Sequence, residues 1–362
     1  MTIRAALSAS ADAPFEIAEV ELDEPRADEL LVEMEAVGVC HSDLTMKAVW
    51  PQEISPIVLG HEGAAVVIAV GSDVRAARPG DRVVLSYRSC GYCPECTAKQ
   101  PAYCRNFRAM NGIGSRPDGS PTMRRNGSPV YGSYFGQSSF ASHAIAYESN
   151  VVVVGDTDPV VAAPLGCGVQ TGAGTVLGVL TPGRDDSLVV FGAGAVGLSA
   201  LMAAVASGVG ATIAVDPVAS RRRLAAELGA SAVADPASDD VVDAVRQLTD
   251  GGATHAIDTT ARGAVINQAI AALAPRGTLA LLGIGIPDFE MDVRSVITGG
   301  KTIRGVIEGD SVPQEFIPRL IALHDAGRLP VEKLIRTYPF DEIDTAFADA
   351  ASGETVKPVL VF

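Results

Sequence analysis

The sequence predicts an α/β chain of two domains, one rich in strands and one built on a doubly wound parallel sheet. Three observations predict it. From residue 169 onward, short apolar runs alternate with helical patterns, as in a parallel sheet covered by helices. The stretch Gly192-Ala-Gly194-Ala-Val-Gly197 gives G-x-G-x-x-G between the first of those strands and the first helix. Before residue 169 the pattern is one of β-branched runs broken by glycine and proline, and 362 residues are comfortable for two domains.

Taken in order, Leu30–Val37 alternates loosely, Ala64–Val70 is a β-branched run ending at Gly71, and Pro79-Gly80-Asp81 turns the chain into Arg82–Leu85. Residues 1 to about 85 therefore read as strands. Ser86 to Gly136 is irregular and includes a polar loop, Arg116-Pro-Asp-Gly-Ser-Pro121, and Phe140–Val154 reads as strand again. In the second half Ser187–Phe191, Ala211–Val215, Ala253–Asp258 and Thr278–Leu282 read as strands. Ala195–Ser207, Ser220–Leu228 and Val265–Leu273 read as the helices between them. The alternation ends near residue 307, and a helix over Glu315–Ala326 precedes a strand-like tail, Val359–Phe362.

Composition narrows the function classes. With 28 Lys and Arg against 43 Asp and Glu the formal charge is −15, a field that repels nucleic-acid phosphates and anionic lipid. A hydrophobic content of 48% supplies a large core. The opening Met-Thr-Ile-Arg-Ala-Ala-Leu lacks the basic-then-apolar pattern of a secretory leader, so the expected location is the cytoplasm. Leu188–Val215 is uncharged and long enough to cross a bilayer, but glycines 192, 194, 197, 208 and 210 divide it into strand, turn, helix and strand.

Four of the six cysteines, Cys90, Cys93, Cys96 and Cys104, are spaced C-x2-C-x2-C-x7-C. Thiolates this close suit one tetrahedral zinc, with Gly91 and Pro94 in the tight turns. Two disulfides are the alternative, disfavoured in a long chain without a secretory start. Four thiolates leave no open position, so such a zinc is structural and the chemistry lies elsewhere.

In the glycine-rich stretch Gly192 makes the turn, Gly194 lets a pyrophosphate approach the backbone, and Gly197 lets helix and strand pack closely. Asp216 stands at the end of the next strand, 19 residues after Gly197, where a carboxylate accepts the ribose hydroxyls and repels a 2′-phosphate. The expected dinucleotide is NAD. The two remaining cysteines lie in Gly38-Val-Cys40-His-Ser-Asp43 and Gly166-Cys167-Gly168, and between them comes Gly60-His61-Glu62-Gly63. Two thiolates and one imidazole make a three-ligand zinc set with a fourth position left for water or substrate, although each residue alone could be ordinary core.

These motifs together, in this order, resemble the zinc-dependent medium-chain alcohol dehydrogenases over essentially the whole chain. The resemblance implies a GroES-like β-barrel catalytic domain over residues 1–168 and 308–362, with a Rossmann NAD-binding domain over 169–307 and substrate in the cleft. It implies Cys40, His61 and Cys167 as catalytic zinc ligands, so that two zinc ions bind per subunit. Glu62 then corresponds to a carboxylate that can visit the metal, Asp43 to the acceptor that fixes the His61 ring, and Ser42 to the hydroxyl that takes the alcohol proton. His41 and Lys357 match pyrophosphate contacts, Thr171 and Val196 match positions around the nicotinamide, and Arg221 lies near the adenosine ribose. Two departures stand out: Thr45 replaces the histidine that completes the proton relay in many members, and Ala64-Ala65 replaces the common Ala-Gly.

The reaction so implied is reversible alcohol oxidation with hydride passing to nicotinamide. Ser86 stands where many relatives carry a bulky aromatic, Trp50 precedes Pro51 as in relatives where it lines the substrate channel, and Pro164–Gly174 and Arg304–Pro313 are similar to the aryl-alcohol branch. The expected substrates are primary aromatic or allylic alcohols such as benzyl alcohol. An aliphatic alcohol dehydrogenase, a thiol-dependent formaldehyde dehydrogenase, and an NAD-binding redox-sensing regulator without turnover are the competing readings. A homodimer or homotetramer is expected, often through an edge strand of the Rossmann sheet.

Overall fold

The computed structural model describes residues 1–285 and 288–362. Backbone packing gathers the chain into two compact units. One comprises Met1–Cys167, Val312–Ala322 and Val331–Phe362; the other comprises Gly168–Ser311 and Leu323–Pro330.

The spine of the first unit is the strand Glu29–Gly38, which is buried along most of its length. Gly63–Val70 pairs with it antiparallel, while His143–Tyr147 and Lys357–Val361 pair with its first and second halves. The register matters, because Val37 lies opposite Gly63 and Gly38 opposite Val359. One end of this sheet therefore gathers the exit of Glu29–Gly38, the entry to Gly63–Val70 and the entry to the C-terminal strand. A second sheet sets Thr2–Ser8 between Glu16–Leu22 and Ile57–Val58 and continues through Met123–Arg125 and Ser128–Val130. Leu7, Val20, Leu59, Phe140 and Ile145 fill one core of this unit, and Val32, Met34, Val67 and Leu85 another.

Several details of this unit differ from the sequence reading. A helix, His41–Val49, interrupts the strands, started by Asp43 accepting the Cys40 N–H at 3.0 Å. The run Phe140–Val154 is two strands, His143–Tyr147 and Val151–Val153, parted by a 3₁₀ turn at Glu148–Asn150. Asn150 makes that break, since its Oδ1 accepts the Tyr147 N–H at 2.9 Å. The polar loop hides a core residue: Arg116 is 1% exposed and grips both oxygens of Glu29 at 2.7 and 2.9 Å. The hairpin at Met123–Val130 turns on Asn126 and Gly127, with φ of 51° and 79°, an Asn-Gly signal present in the sequence.

The second unit holds six parallel strands: β1 (Ser187–Phe191), β2 (Ala211–Val215), β3 (Ala232–Ala234), β4 (Ala253–Asp258), β5 (Leu273–Leu281) and β6 (Thr302–Gly305). Their order across the sheet is β3-β2-β1-β4-β5-β6, the doubly wound order of dinucleotide-binding sheets. Every residue of β1 is buried, as a strand with helices on both faces requires. The uncharged span is here β1, a turn, the helix Ala195–Ser207 and β2. Among the described residues no single helix is long and apolar enough to cross a membrane. Beyond the expected elements lie the short strands β3 and β6, with three and four residues, and the helices Val241–Leu248 and Val293–Gly299. In the first of these helices Val241, Val245 and Leu248 recur at helical spacing, a signal present in the sequence.

Candidate active site

The antiparallel register delivers Cys40, two positions past Gly38, beside His61, two positions before Gly63. The 3₁₀ segment Ala163–Gly166 ends on Cys167. Ligand atoms of Cys40, His61 and Cys167 all lie within 4.8 Å of one another. Asp43 holds this group from behind. Its Oδ1 accepts from His61 Nδ1 at 2.8 Å and from the Gly60 N–H at 3.2 Å, and its Oδ2 from the Cys40 N–H. With the Nδ1 proton committed to a carboxylate, His61 Nε2 carries the lone pair, and this atom is buried with no hydrogen-bond partner. The adjoining Cys167 thiol, aided by the His61 ring and Lys357, holds the Cys40 thiol well below its ordinary range despite burial.

Behind the cysteines sits a buried ion pair. Lys357 Nζ meets the two oxygens of Glu62 at 2.8 and 2.9 Å and donates to the Val39 carbonyl at 3.2 Å. Burial alone would depress the lysine, but Glu62 and the Cys40 sulfur hold its pKa above the ordinary value. Gly38 makes room, since a Cβ there would collide with the Glu62 carboxylate. The ammonium expected to contact the pyrophosphate is thus buried and paired with Glu62. The same pair turns the Glu62 carboxylate toward the lysine.

Aromatic rings wall one side of His61. Phe135 lies 4.7 Å from the imidazole centroid to centroid, and Tyr134 meets it edge-on at 5.7 Å. Phe107 packs edge-on against Phe135 at 6.1 Å and also against Tyr87 at 5.7 Å. Phe107 and Phe135 are both partly exposed. The two expected pocket residues, Trp50 and Ser86, are both buried. Trp50 is a core residue, its ring against Tyr134 at 6.1 Å and its N–H donating to the Ile54 carbonyl at 2.9 Å. Ser86 is fully buried and its hydroxyl donates to the Gly166 carbonyl at 2.7 Å, so it braces the turn before Cys167. The wall was missed because Tyr134 and Phe135 fall in irregular sequence, where no periodicity marks a face; Phe135 has a φ of 52°.

The four-cysteine set also converges, with ligand atoms within 4.8 Å of one another and all four cysteines free of disulfides. Cys93 and Cys96 sulfurs are 3.4 Å apart, and the Cys93 N–H points at Cys90 Sγ at 3.4 Å. Burial raises the Cys90 thiol, but the N–H groups of Tyr92 and Cys93 bring it down to about 6. Gly91, at φ 76°, supplies the turn.

In the second unit the three glycines differ in what surrounds them. Gly192 has φ 93°, a Cβ on Gly197 would collide with the Gly192 carbonyl, and a Cβ on Gly194 would meet only open space. Gly194 caps the helix Ala195–Ser207, whose second residue is Val196, so the open side faces a helix N-terminus. Asp216 is buried, accepting the Ala193 N–H at 2.7 Å and the Val218 N–H at 2.8 Å, with Arg221 Nη1 at 3.8 Å. Thr171 Oγ1 lies 3.4 Å from a Glu308 oxygen that also accepts from Gln170 at 3.0 Å. In the first unit, His41 is exposed and Ser42 half-buried at the start of the helix after Cys40.

These donor sets fit zinc, with two thiols and an orphaned imidazole nitrogen in one case and four thiols in the other. The open glycine turn with its buried acid fits a dinucleotide. The sequence model of the alcohol dehydrogenase GroES-like domain matches residues 26–156, and that of the zinc-binding dehydrogenases matches residues 195–325. Geraniol dehydrogenase of Castellaniella defragrans is 44% identical over 367 residues, covering 100% of this chain and 98% of that protein. The chain belongs to the zinc-dependent medium-chain alcohol dehydrogenases. Solved relatives agree with the dehydrogenase in fold. A zinc-binding alcohol dehydrogenase domain protein from Burkholderia ambifaria superposes with a TM-score of 0.96 at 46% identity, covering 100% of this chain and 99% of the other. Benzyl alcohol dehydrogenase from Acinetobacter calcoaceticus does so with 0.95 at 39% identity, covering 100% and 99%. The dehydrogenase thus combines a GroES-like domain with a Rossmann sheet, and its cofactors are NAD and zinc.

Proposed function

We propose that this dehydrogenase oxidises primary aromatic or allylic alcohols reversibly to aldehydes, in the cytoplasm, where the thiols of two zinc sites stay reduced. The observation that carries the substrate class is the ring of Phe135 beside His61, backed by Tyr134 and Phe107. A flat, unsaturated group bound there gains edge and face contacts that an ethyl group cannot make. Similarity to a geraniol dehydrogenase and to a benzyl alcohol dehydrogenase supports the same class.

Cys40, His61 and Cys167 would hold the catalytic zinc, and Cys90, Cys93, Cys96 and Cys104 the structural one. Gly192, Gly194, Gly197 and Asp216 would hold NAD, with Arg221 beside the acid. When bound, zinc supplies Lewis acidity that acidifies the alcohol hydroxyl, and NAD supplies the hydride acceptor. Asp43 keeps the His61 ring in the tautomer whose Nε2 faces the thiols. Ser42, on the first turn after Cys40, takes the hydroxyl proton. Phe135 and Tyr134 orient the carbinol and keep water from that side.

Homo-oligomerisation through β6 is part of the reading. Its outer edge ends the sheet, and Ile284, Val293 and Ile297 are exposed in the same unit.

The test is kcat/KM by NADH absorbance for benzyl alcohol, geraniol and ethanol, with the parent and with Phe135→Ala. The parent favours the two unsaturated alcohols, and the variant loses about three- to tenfold on them, the worth of one aromatic contact, with little change for ethanol. A parent that prefers ethanol, or a variant that loses equally on all three, overturns the proposal.

A further inference from the structure

We infer that Gln137 is a positioning residue for the zinc-ligating side chains, clamping the loop that carries His61 to the loop that carries Cys167; this rests on the zinc reading above. Gln137 is fully buried, and its amide uses every hydrogen-bonding position it has. Its Nε2 donates to the His61 carbonyl at 3.0 Å and to the Ser86 carbonyl at 3.1 Å. Its Oε1 accepts from the Gly63 N–H at 3.1 Å and from the Ser139 hydroxyl. Ser86 passes the restraint onward, donating to the Gly166 carbonyl one residue before Cys167. Two side chains thus tie the backbone at one ligand to the backbone beside another, although the ligands lie far apart in the sequence.

The clamp is itself held. Its neighbour Ser138 sits at φ 47°, accepts the Tyr134 N–H at 2.8 Å and donates to the Val58 carbonyl at 2.6 Å. Only a neutral amide meets the demand. Both carbonyls are met by donors and the Gly63 N–H by an acceptor, so a carboxylate would repel two partners and a thioether would offer neither donor nor strong acceptor. Gln137 orients the strand entry at His61 to Gly63, while Asp43 orients the imidazole ring; the two supports are independent.

The test uses the holoenzyme with cobalt exchanged into the Cys40–His61–Cys167 site, comparing the parent with Gln137→Met and Ser86→Ala. Gln137→Met should release that metal to a chelator about 10- to 100-fold faster, the range for groups that orient metal ligands, and should shift the cobalt ligand-field bands. Its kcat should fall more than its KM for NAD changes, while the metal at Cys90, Cys93, Cys96 and Cys104 stays bound. Ser86→Ala, which removes the hydroxyl that holds the Gly166 carbonyl, should move the spectrum and the release rate in the same direction by less. Parent-like bands and release in folded Gln137→Met overturn the inference; should that variant not fold, parent-like behaviour of Ser86→Ala overturns it alone. Metal content unchanged in Cys40→Ser would overturn the zinc reading first, and the clamp with it.

Discussion

Cys90, Cys93, Cys96 and Cys104 converge inside one loop, on turns made by Gly91 and the short helix Pro94–Thr97. Cys40, His61 and Cys167 come from three separate segments, and nothing local holds them together. Their geometry depends on strand register, on Asp43 and on buried side chains that tie loop to loop. The contrast shows how one chain separates stability from reactivity. A site closed by its own loop can add to folding but has no open position, whereas a site spread over the fold can leave one ligand position free because the scaffold supplies the rigidity.

Exchanging one thiol in each set gives the sharpest test of that contrast. Cys40→Ser should lower alcohol turnover by more than about 100-fold, beyond what loss of an orienting group costs, and should reduce bound zinc from two per chain to one. Its thermal transition should stay close to the parent's. Cys104→Ser should do the reverse, opening the loop to proteolysis and lowering the melting temperature while the surviving folded fraction keeps most of its turnover per active site. Both variants losing activity and stability alike would end the division of labour.

The same contrast explains what could be read without the structure. The four-cysteine loop and the glycine-rich turn are written in consecutive residues, so their spacing carried them; Gly192, Gly194 and Gly197 each show the environment expected of them. The helix Ala195–Ser207 is apolar almost throughout, so the glycines at its two ends, Gly194 and Gly208, marked it rather than a period. Gln137, Tyr134 and Phe135 act only through partners distant in sequence, from irregular backbone, and no pattern in their neighbourhood announces them. For Ser86 and Trp50 the sequence likewise did not announce their partners, the Gly166 carbonyl for one and the core around Tyr134 for the other.

Lys357 offers the next largest effect and separates a packing role from a cofactor role. Replacing it by Met leaves the Glu62 carboxylate buried without its cation, a change that costs about 3–5 kcal/mol in comparable buried pairs. Urea denaturation should show that loss, with KM for NAD altered much less. A normal denaturation midpoint with a strongly raised KM for NAD would instead make Lys357 chiefly a pyrophosphate contact.

The smallest expected effect concerns Thr45, which stands where many relatives carry a relay histidine. Its hydroxyl donates to the His41 carbonyl at 3.2 Å, one helical turn back, and the residue is exposed. A hydroxyl committed to its own helix has no proton path to serve, so Thr45→Ala should change kcat by less than about twofold, as exposed substitutions do. Ser42→Ala, by contrast, removes the group proposed to take the alcohol proton and should lower kcat by roughly 100-fold or more. The pH profile of kcat should be the same in Thr45→Ala as in the parent. A shifted profile, or a loss approaching that of Ser42→Ala, would place position 45 in the proton path and make the helix after Cys40 a working part of the distributed site beyond its first turn.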